Sequence, residues 1–244
     1  MSTTVILDGQ ANPQPLILFD IDGTLVRRAG PHHRLALIEA IRRVTGVETT
    51  TDGIPVHGML DPDIIRLMLQ AAGIDGDMSA IIDAAQDIYD ATVPEDLRDK
   101  ACPGAVELLD HLKDRAVLAL VTGNLTRIGW RKLQRAGLDG YFRFGAFGEM
   151  AATRGGLARL AIERARREGA IGPIALVGDA PQDVRAAQEN GIRSIAVRTG
   201  VTPPGDLEAC NPDYIHDDLT QFDFDWMYYT LHTSQPFSGY KLSI

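Results

Sequence analysis

Cysteine is scarce in this sequence: Cys102 and Cys210 are the only two in 244 residues. They lie far apart and fit no metal-ligand spacing, so they read as two free thiols in a reducing compartment. The six histidines, His32, His33, His57, His111, His216 and His232, show no zinc spacing either. Basic residues are also in short supply. Against 33 Asp and Glu stand 24 Lys and Arg, for a net charge of -9. That balance lacks the basic footprint of general nucleic-acid binding. A local site on an acidic protein can still receive a small phosphorylated metabolite. No apolar run approaches the length of a membrane span. The opening Met1-Ser2-Thr3-Thr4-Val5 has no basic region ahead of an apolar core. A soluble cytoplasmic protein without a secretory leader or membrane partner is therefore expected.

What is present is an ordinary globular composition, 45% hydrophobic and 23% charged, enough to bury a core in one or two domains. Short apolar runs at 16–19, 117–121, 174–177 and 195–197 each end in a polar turn, the pattern of buried strands. A weaker strand is expected at 143–147. Helical spacing falls between them, at 106–113, 128–135, 157–167 and 181–188, with Gly137 and Gly191 as stops and Pro181 as a start. Strand and helix in alternation predict a parallel, Rossmann-like α/β sheet covered on both faces.

The alternation breaks once. Residues 27–100 show no strand but three helical stretches, at 33–44, 63–72 and 78–91. In the first, Leu35, Ile38, Ile41 and Val44 are expected on one buried face. This reads as an all-helical domain inserted after the first strand. The expected division is a core of residues 1–26 and 101–221, an insert of 27–100, and a tail of 222–244 without clear period.

Polar residues mark the strand ends. Asp20, Thr122 and Asp179 each stand at the carboxyl end of a predicted parallel strand, where open α/β sheets form their sites. Asp20, Asp22, Asp179 and Asp183 would then gather carboxylates that repel one another unless a cation is present. Oxygen ligands of this kind suit Mg²⁺. A carboxylate such as Asp20 can attack phosphorus to give an aspartyl-phosphate. Asp22, two residues on in an extended segment, can share the side of Asp20 and serve as general acid and base. Thr122, the backbone of Gly123 and the amide of Asn124 offer donors to phosphoryl oxygens. The balancing cation is expected from Arg154 first and Lys132 second. Lys132 sits between Arg131 and Arg135 on a helix and reads more simply as a solvated charge. His32 and His33 open the first insert helix, and His57 lies in a glycine turn. Of these, His32 and His57 are candidate substrate contacts, or else plain connector residues.

Asp20-Ile21-Asp22-Gly23-Thr24, Val121-Thr122-Gly123-Asn124, a basic residue, and Gly178-Asp179-Ala180-Pro181-Gln182-Asp183 resemble, in this order, the four motifs of the haloacid dehalogenase-like hydrolase superfamily. The resemblance covers residues 15–199. It implies Asp20 as nucleophile and Asp22 as acid/base. It also implies Mg²⁺ held by Asp20, the Asp22 backbone carbonyl and Asp179, with Asp183 helping. The insert would be a cap, placed as in phosphoglycolate phosphatases and β-phosphoglucomutases. The family's third motif is usually lysine, and Arg154 stands there instead; arginine keeps the charge and binds phosphate bidentately. Hydrolysis of a small phosphomonoester is the leading expectation, phosphoglycolate among the candidates. A phosphomutase would share every core residue. A dehalogenase would need no metal and lacks a second aspartate such as Asp22. A non-enzymatic binding module would not need all of these aspartates intact.

Overall fold

The computed structural model describes residues 13–169 and 171–223. Six strands form one parallel sheet: β1 (Gln14–Phe19), β2 (Val117–Val121), β3 (Phe144–Ala146), β4 (Ile171–Gly178), β5 (Arg193–Val197) and β6 (Tyr214–His216). Their spatial order is β3-β2-β1-β4-β5-β6. The strands read as continuous apolar runs because both faces are buried. Leu16, Leu18, Val117 and Ala119 enter one layer, and Ile17, Phe19, Leu118 and Leu120 the other. β6 has no counterpart among the expected strands. It is three residues long, half-buried and at the sheet edge, so it needs no apolar run.

Helices α4 (Ala105–Leu112) and α5 (Thr126–Ala136) cover the Phe19 face through Leu108, Leu109, Ile128 and Leu133. Helices α6 (Arg154–Glu168) and α7 (Pro181–Glu189) cover the opposite face through Leu157, Ile162, Ala186 and Ala187. A short α8 (Pro204–Glu208) follows β5. From β1 the chain winds outward to β2 and β3, then returns to the other side of β1 at β4. The direction of winding thus reverses between β1 and β4, and a crevice opens beyond their carboxyl ends.

Three helices stand between β1 and α4: α1 (His32–Thr45), α2 (Asp61–Ala71) and α3 (Met78–Thr92). Asp77 caps α3 by accepting from the amides of Ser79 and Ala80. The buried face of α1 is Ala36, Leu37, Ala40 and Ile41. The expected face is corrected by this: Ile41 is buried, Ile38 and Val44 are partly so, and Leu35 is 48% exposed. Two small alanines let α1 sit close to its neighbours, which turns the helix from the face its larger side chains suggest. The insert shares one apolar cluster with Ile21, Leu25 and Val26 of the turn after β1, so it packs directly on the crevice. No helix among the described residues is long and apolar enough to cross a membrane. The tail expected at 222–244 lies, from 224 on, outside the described residues.

Helix α5 comes close to the segments that follow β1 and β3 at Gly129. A Cβ there would sit 2.8 Å from Cε1 of Phe147 and 3.2 Å from Cδ1 of Ile21. Alanine favours a helix over glycine by about 1 kcal/mol, whereas overpacking costs about 1–3 kcal/mol. Gly129→Ala is therefore expected to lower stability, by about 1 kcal/mol in thermal or denaturant unfolding. A stabilised variant would contradict the packing described.

Candidate active site

Asp20 follows the last residue of β1, and its backbone N–H continues the ladder to the Val177 carbonyl at 3.0 Å. That hydrogen bond fixes the carboxylate over the crevice, where it is only 4% exposed. Arg154, the first residue of α6, reaches it from the other side of β2. Its Nη1 donates to Asp20 Oδ1 at 2.7 Å and to the Val121 carbonyl at 3.2 Å. Its Nη2 donates to the Gly58 carbonyl at 3.4 Å, a contact with the insert. The same Nη1 lies 3.5 Å from Asp183 Oδ1. Burial opposes the guanidinium charge, but Asp183 and Asp20 outweigh it and raise the Arg154 pKa further.

Asp179 follows β4, and Asp183 lies in the first turn of α7, where its Oδ2 accepts the Ala180 N–H at 3.1 Å. Both carboxylates are buried. Oxygens of Asp20, Asp179 and Asp183 all lie within 4.8 Å of one another. Asp179 Oδ2 and Asp183 Oδ1 have no hydrogen-bond partner among the described residues. Burial, followed by the charges of Asp20 and Asp183, pushes Asp179 well above the usual carboxylate range. Burial likewise pushes Asp183 up to about 7, with Arg154 pulling the other way. Orphaned anionic oxygens in a dry cluster are the donor set of a hard divalent cation, and these three residues could hold one.

On the other side of Asp20, Asp22 meets Lys132. Lys132 Nζ lies 2.6 Å from each Asp22 oxygen and 2.8 Å from Asn124 Oδ1. Asn124 Nδ2 donates to Asp22 Oδ2 and to the Thr122 hydroxyl, both at 2.8 Å. The Asp22 side chain remains 48% exposed, toward the cavity, while that of Lys132 is 1% exposed. Lys132 is thus no solvated charge. Its place on α5 is with Ile128, Gly129, Leu133 and Ala136, the buried face. The four-residue step from Ile128 carried that information, and the flanking arginines obscured it. Burial would raise Asp22, but the charge of Lys132, with hydrogen bonds from Lys132 and Asn124, holds it below the usual carboxylate range. Burial would lower Lys132, and Asp22 holds it up.

Segment 57–61 of the insert closes the crevice. The Asp61 N–H donates to the Gly123 carbonyl at 2.9 Å, and a Cβ on Gly123 would run into the Met59 carbonyl. Only glycine permits that approach. His57 Nε2 pairs with the Thr202 hydroxyl at 2.6 Å and stands 3.5 Å from Asp179 Oδ2. Burial, joined by Arg154, lowers the His57 pKa despite Asp20. The resulting cavity is lined by Asp20, Asp22, Gly123, Asn124, Arg154 and Asp179 from the core, and by His33, Arg34, Leu37, His57, Met59 and Ile64 from the insert. His32 is absent from this lining; its ring packs beside Gly30. Thr122 is fully buried beneath Gly123 and does not line the cavity. Sequence reasoning passed over Asp61, which reads as an ordinary first-turn acid ahead of Pro62. It is 2% exposed, accepting from the Leu125 N–H and from His33 Nε2, each at 2.8 Å.

Comparison with known proteins shows the family and the fold. The profile of the haloacid dehalogenase-like hydrolase family matches residues 15–191. The chain is 27% identical over 218 residues to the probable phosphatase IndB of Dickeya dadantii, covering 85% of this chain and 91% of that one. It is 27% identical over 223 residues to a phosphoglycolate phosphatase of Agrobacterium fabrum, covering 84% and 89%. In fold it is similar to β-phosphoglucomutase from Clostridium difficile, with a TM-score of 0.69 at 15% identity, over 89% of this chain and 96% of that one. With Asp20, Asp22, Arg154 and Asp179 meeting at the switch point of a parallel sheet, the chain belongs to the haloacid dehalogenase-like hydrolase family.

Proposed function

We propose that the protein is a Mg²⁺-dependent phosphatase that hydrolyses a small phosphomonoester through an aspartyl-phosphate on Asp20. The observation that carries this reading is the pairing of Asp20 with Arg154. One carboxylate oxygen, Oδ1, is held by the guanidinium at 2.7 Å, which orients the carboxylate over the crevice. Asp20 Oδ2 attacks phosphorus as the bond to the leaving oxygen breaks. Asp22 gives that oxygen its proton. It then takes a proton from the water that attacks the phosphorus of the aspartyl-phosphate, releasing inorganic phosphate and restoring Asp20. An arriving phosphate dianion opposes the hold of Lys132 on Asp22 and favours its protonated form.

Arg154 balances charge on the transferring group, and the Gly123 backbone is the donor at the cavity wall. The Asn124 amide, already spent on Asp22 and Thr122, orients Asp22 rather than binding phosphate. Mg²⁺ would be held by Asp20, Asp179, Asp183 and the Asp22 carbonyl, supplying the positive charge that lets a phosphate approach these carboxylates. Residues 27–100 form the cap, the core being 1–26 and 101–221. The cap side chains of the cavity, Leu37, Met59 and Ile64 with His57, read the leaving group. Phosphoglycolate, the substrate named for one relative, belongs in the first panel tested. Two unpaired cysteines support a cytoplasmic location.

Asp20→Asn keeps the side-chain shape but cannot carry a phosphoryl group. Turnover of a panel of phosphomonoesters with Mg²⁺ should fall to background while the melting curve shows a folded protein. Full activity in that variant would refute the mechanism. Stripping divalent ions with a chelator should abolish turnover in the native enzyme, and added Mg²⁺ should restore it; undiminished rates in chelator would exclude the metal role.

Arg154→Met should cost about 10²–10³-fold in kcat/KM, and Arg154→Lys should recover most of it, since the ammonium can still reach Asp20. Steady-state kinetics on one substrate, with unfolding curves for both variants, decide this. Equal activity of Arg154→Met and the native enzyme would remove Arg154 from the site.

A further inference from the structure

Lys132 is one of the most buried charged groups of the described residues, and the reaction above gives it no direct task. An ammonium has three protons to donate and accepts nothing. Here all three have destinations: the Asp22 carboxylate at 2.6 Å, Asn124 Oδ1 at 2.8 Å and His33 Nδ1 at 3.4 Å. Because Lys132 only donates, His33 Nδ1 is the acceptor, and the ring proton sits on Nε2. That proton is donated to Asp61 Oδ2 at 2.8 Å. Asp61 Oδ2 also accepts the N–H of Leu125, the residue just ahead of α5, the helix that carries Lys132. The bonds thus close a ring: Asp61 to the start of α5, along α5 to Lys132, to His33, and back to Asp61.

The ring has two owners. Lys132, Leu125, Asn124 and Asp22 belong to the core; His33 is on α1 and Asp61 on α2, both of the insert. Tyr89 of α3 packs edge-on against the His33 ring at 5.9 Å, so each insert helix contributes. Lifting the insert removes His33 and Asp61 together and leaves Lys132 with one donor that no protein acceptor meets. The ammonium can then follow His33 or turn toward Asn124, and Asp22 loses its fixed partner.

We propose that Lys132 is a positioning residue for Asp22, and that His33 and Asp61 complete its grip only while the insert lies on the core. Asp22 is then aimed for proton transfer when the cavity is covered and slack when it is open. The proposal rests on the phosphatase reading, because it assigns Lys132 an effect on proton transfer to the leaving group.

The test compares kcat/KM for two substrates in native enzyme, Lys132→Met and His33→Ala. One is p-nitrophenyl phosphate, whose leaving group departs without a proton. The other is the best alkyl phosphomonoester of the panel, whose leaving group needs one. Lys132→Met keeps the length and apolar stem of the side chain. It should lose about 100-fold or more on the alkyl ester and under about tenfold on the aryl ester. His33→Ala should show a smaller loss with the same selectivity. Adding Lys132→Met to Asp22→Asn should cost nothing further on the alkyl ester, since both act through one group. Equal losses on the two esters, or additive losses in the double variant, would overturn the proposal and leave the phosphatase reading standing. No turnover of either ester by native enzyme would overturn both. Should Lys132→Met fail to fold, the His33→Ala comparison decides by the same criterion.

Discussion

The balance of buried charge governs this structure. Asp20, Asp22, Asp179 and Asp183 lie around one crevice, and two cations, Arg154 and Lys132, reach them. With every group ionised, two negative charges are left over. The distribution of that deficit is uneven. Asp20 and Asp22 each hold a cation at hydrogen-bond distance, whereas Asp179 and Asp183 each leave one oxygen without a hydrogen bond among the described residues. Those last two are also the carboxylates whose pKa is driven up. A divalent cation seated among Asp20, Asp179 and Asp183 supplies the two missing charges, and the proposed metal follows from this count as much as from the choice of ligand atoms.

The same balance ties the insert to the core. Arg154 spends its second nitrogen on the Gly58 carbonyl, and a lysine could not make that contact while also pairing with Asp20. Arginine at this position therefore connects the Asp20 side of the site to segment 57–61. Lys132 connects the Asp22 side to α1 and α2 through His33 and Asp61. Gly123 lets the Met59 carbonyl approach where any side chain would block it. Insert and core thus meet at the site through these polar contacts as well as through the shared apolar cluster.

Much of this could be read from the sequence because it is local. Apolar runs ending in Asp20, Thr122 and Asp179 announce buried parallel strands with polar ends, and strand polarity then brings those residues to one edge. Asp183 follows from its place in the first turn after Pro181. Side chains whose role depends on which helix face is buried were harder. Lys132 shows two arginines to a linear reader and an apolar stripe to the helix. His32 and His33 are neighbours with opposite fates, since only the latter turns toward the core across Tyr89. Asp61 gains its meaning from contacts with Leu125 and His33, both far away in the chain, and nothing in its immediate neighbours signals that.

The proposed reaction requires that a phosphoryl group rest on Asp20 between the two half-reactions. An acyl phosphate is reduced by borohydride to an alcohol, which converts aspartate to homoserine. Enzyme quenched during turnover of a phosphomonoester with Mg²⁺, reduced and digested, can be sequenced by tandem mass spectrometry. Homoserine is expected at position 20, and only when substrate is present. Homoserine at another aspartate, or none at any position while phosphate is being released under conditions that trap acyl phosphates, would contradict it.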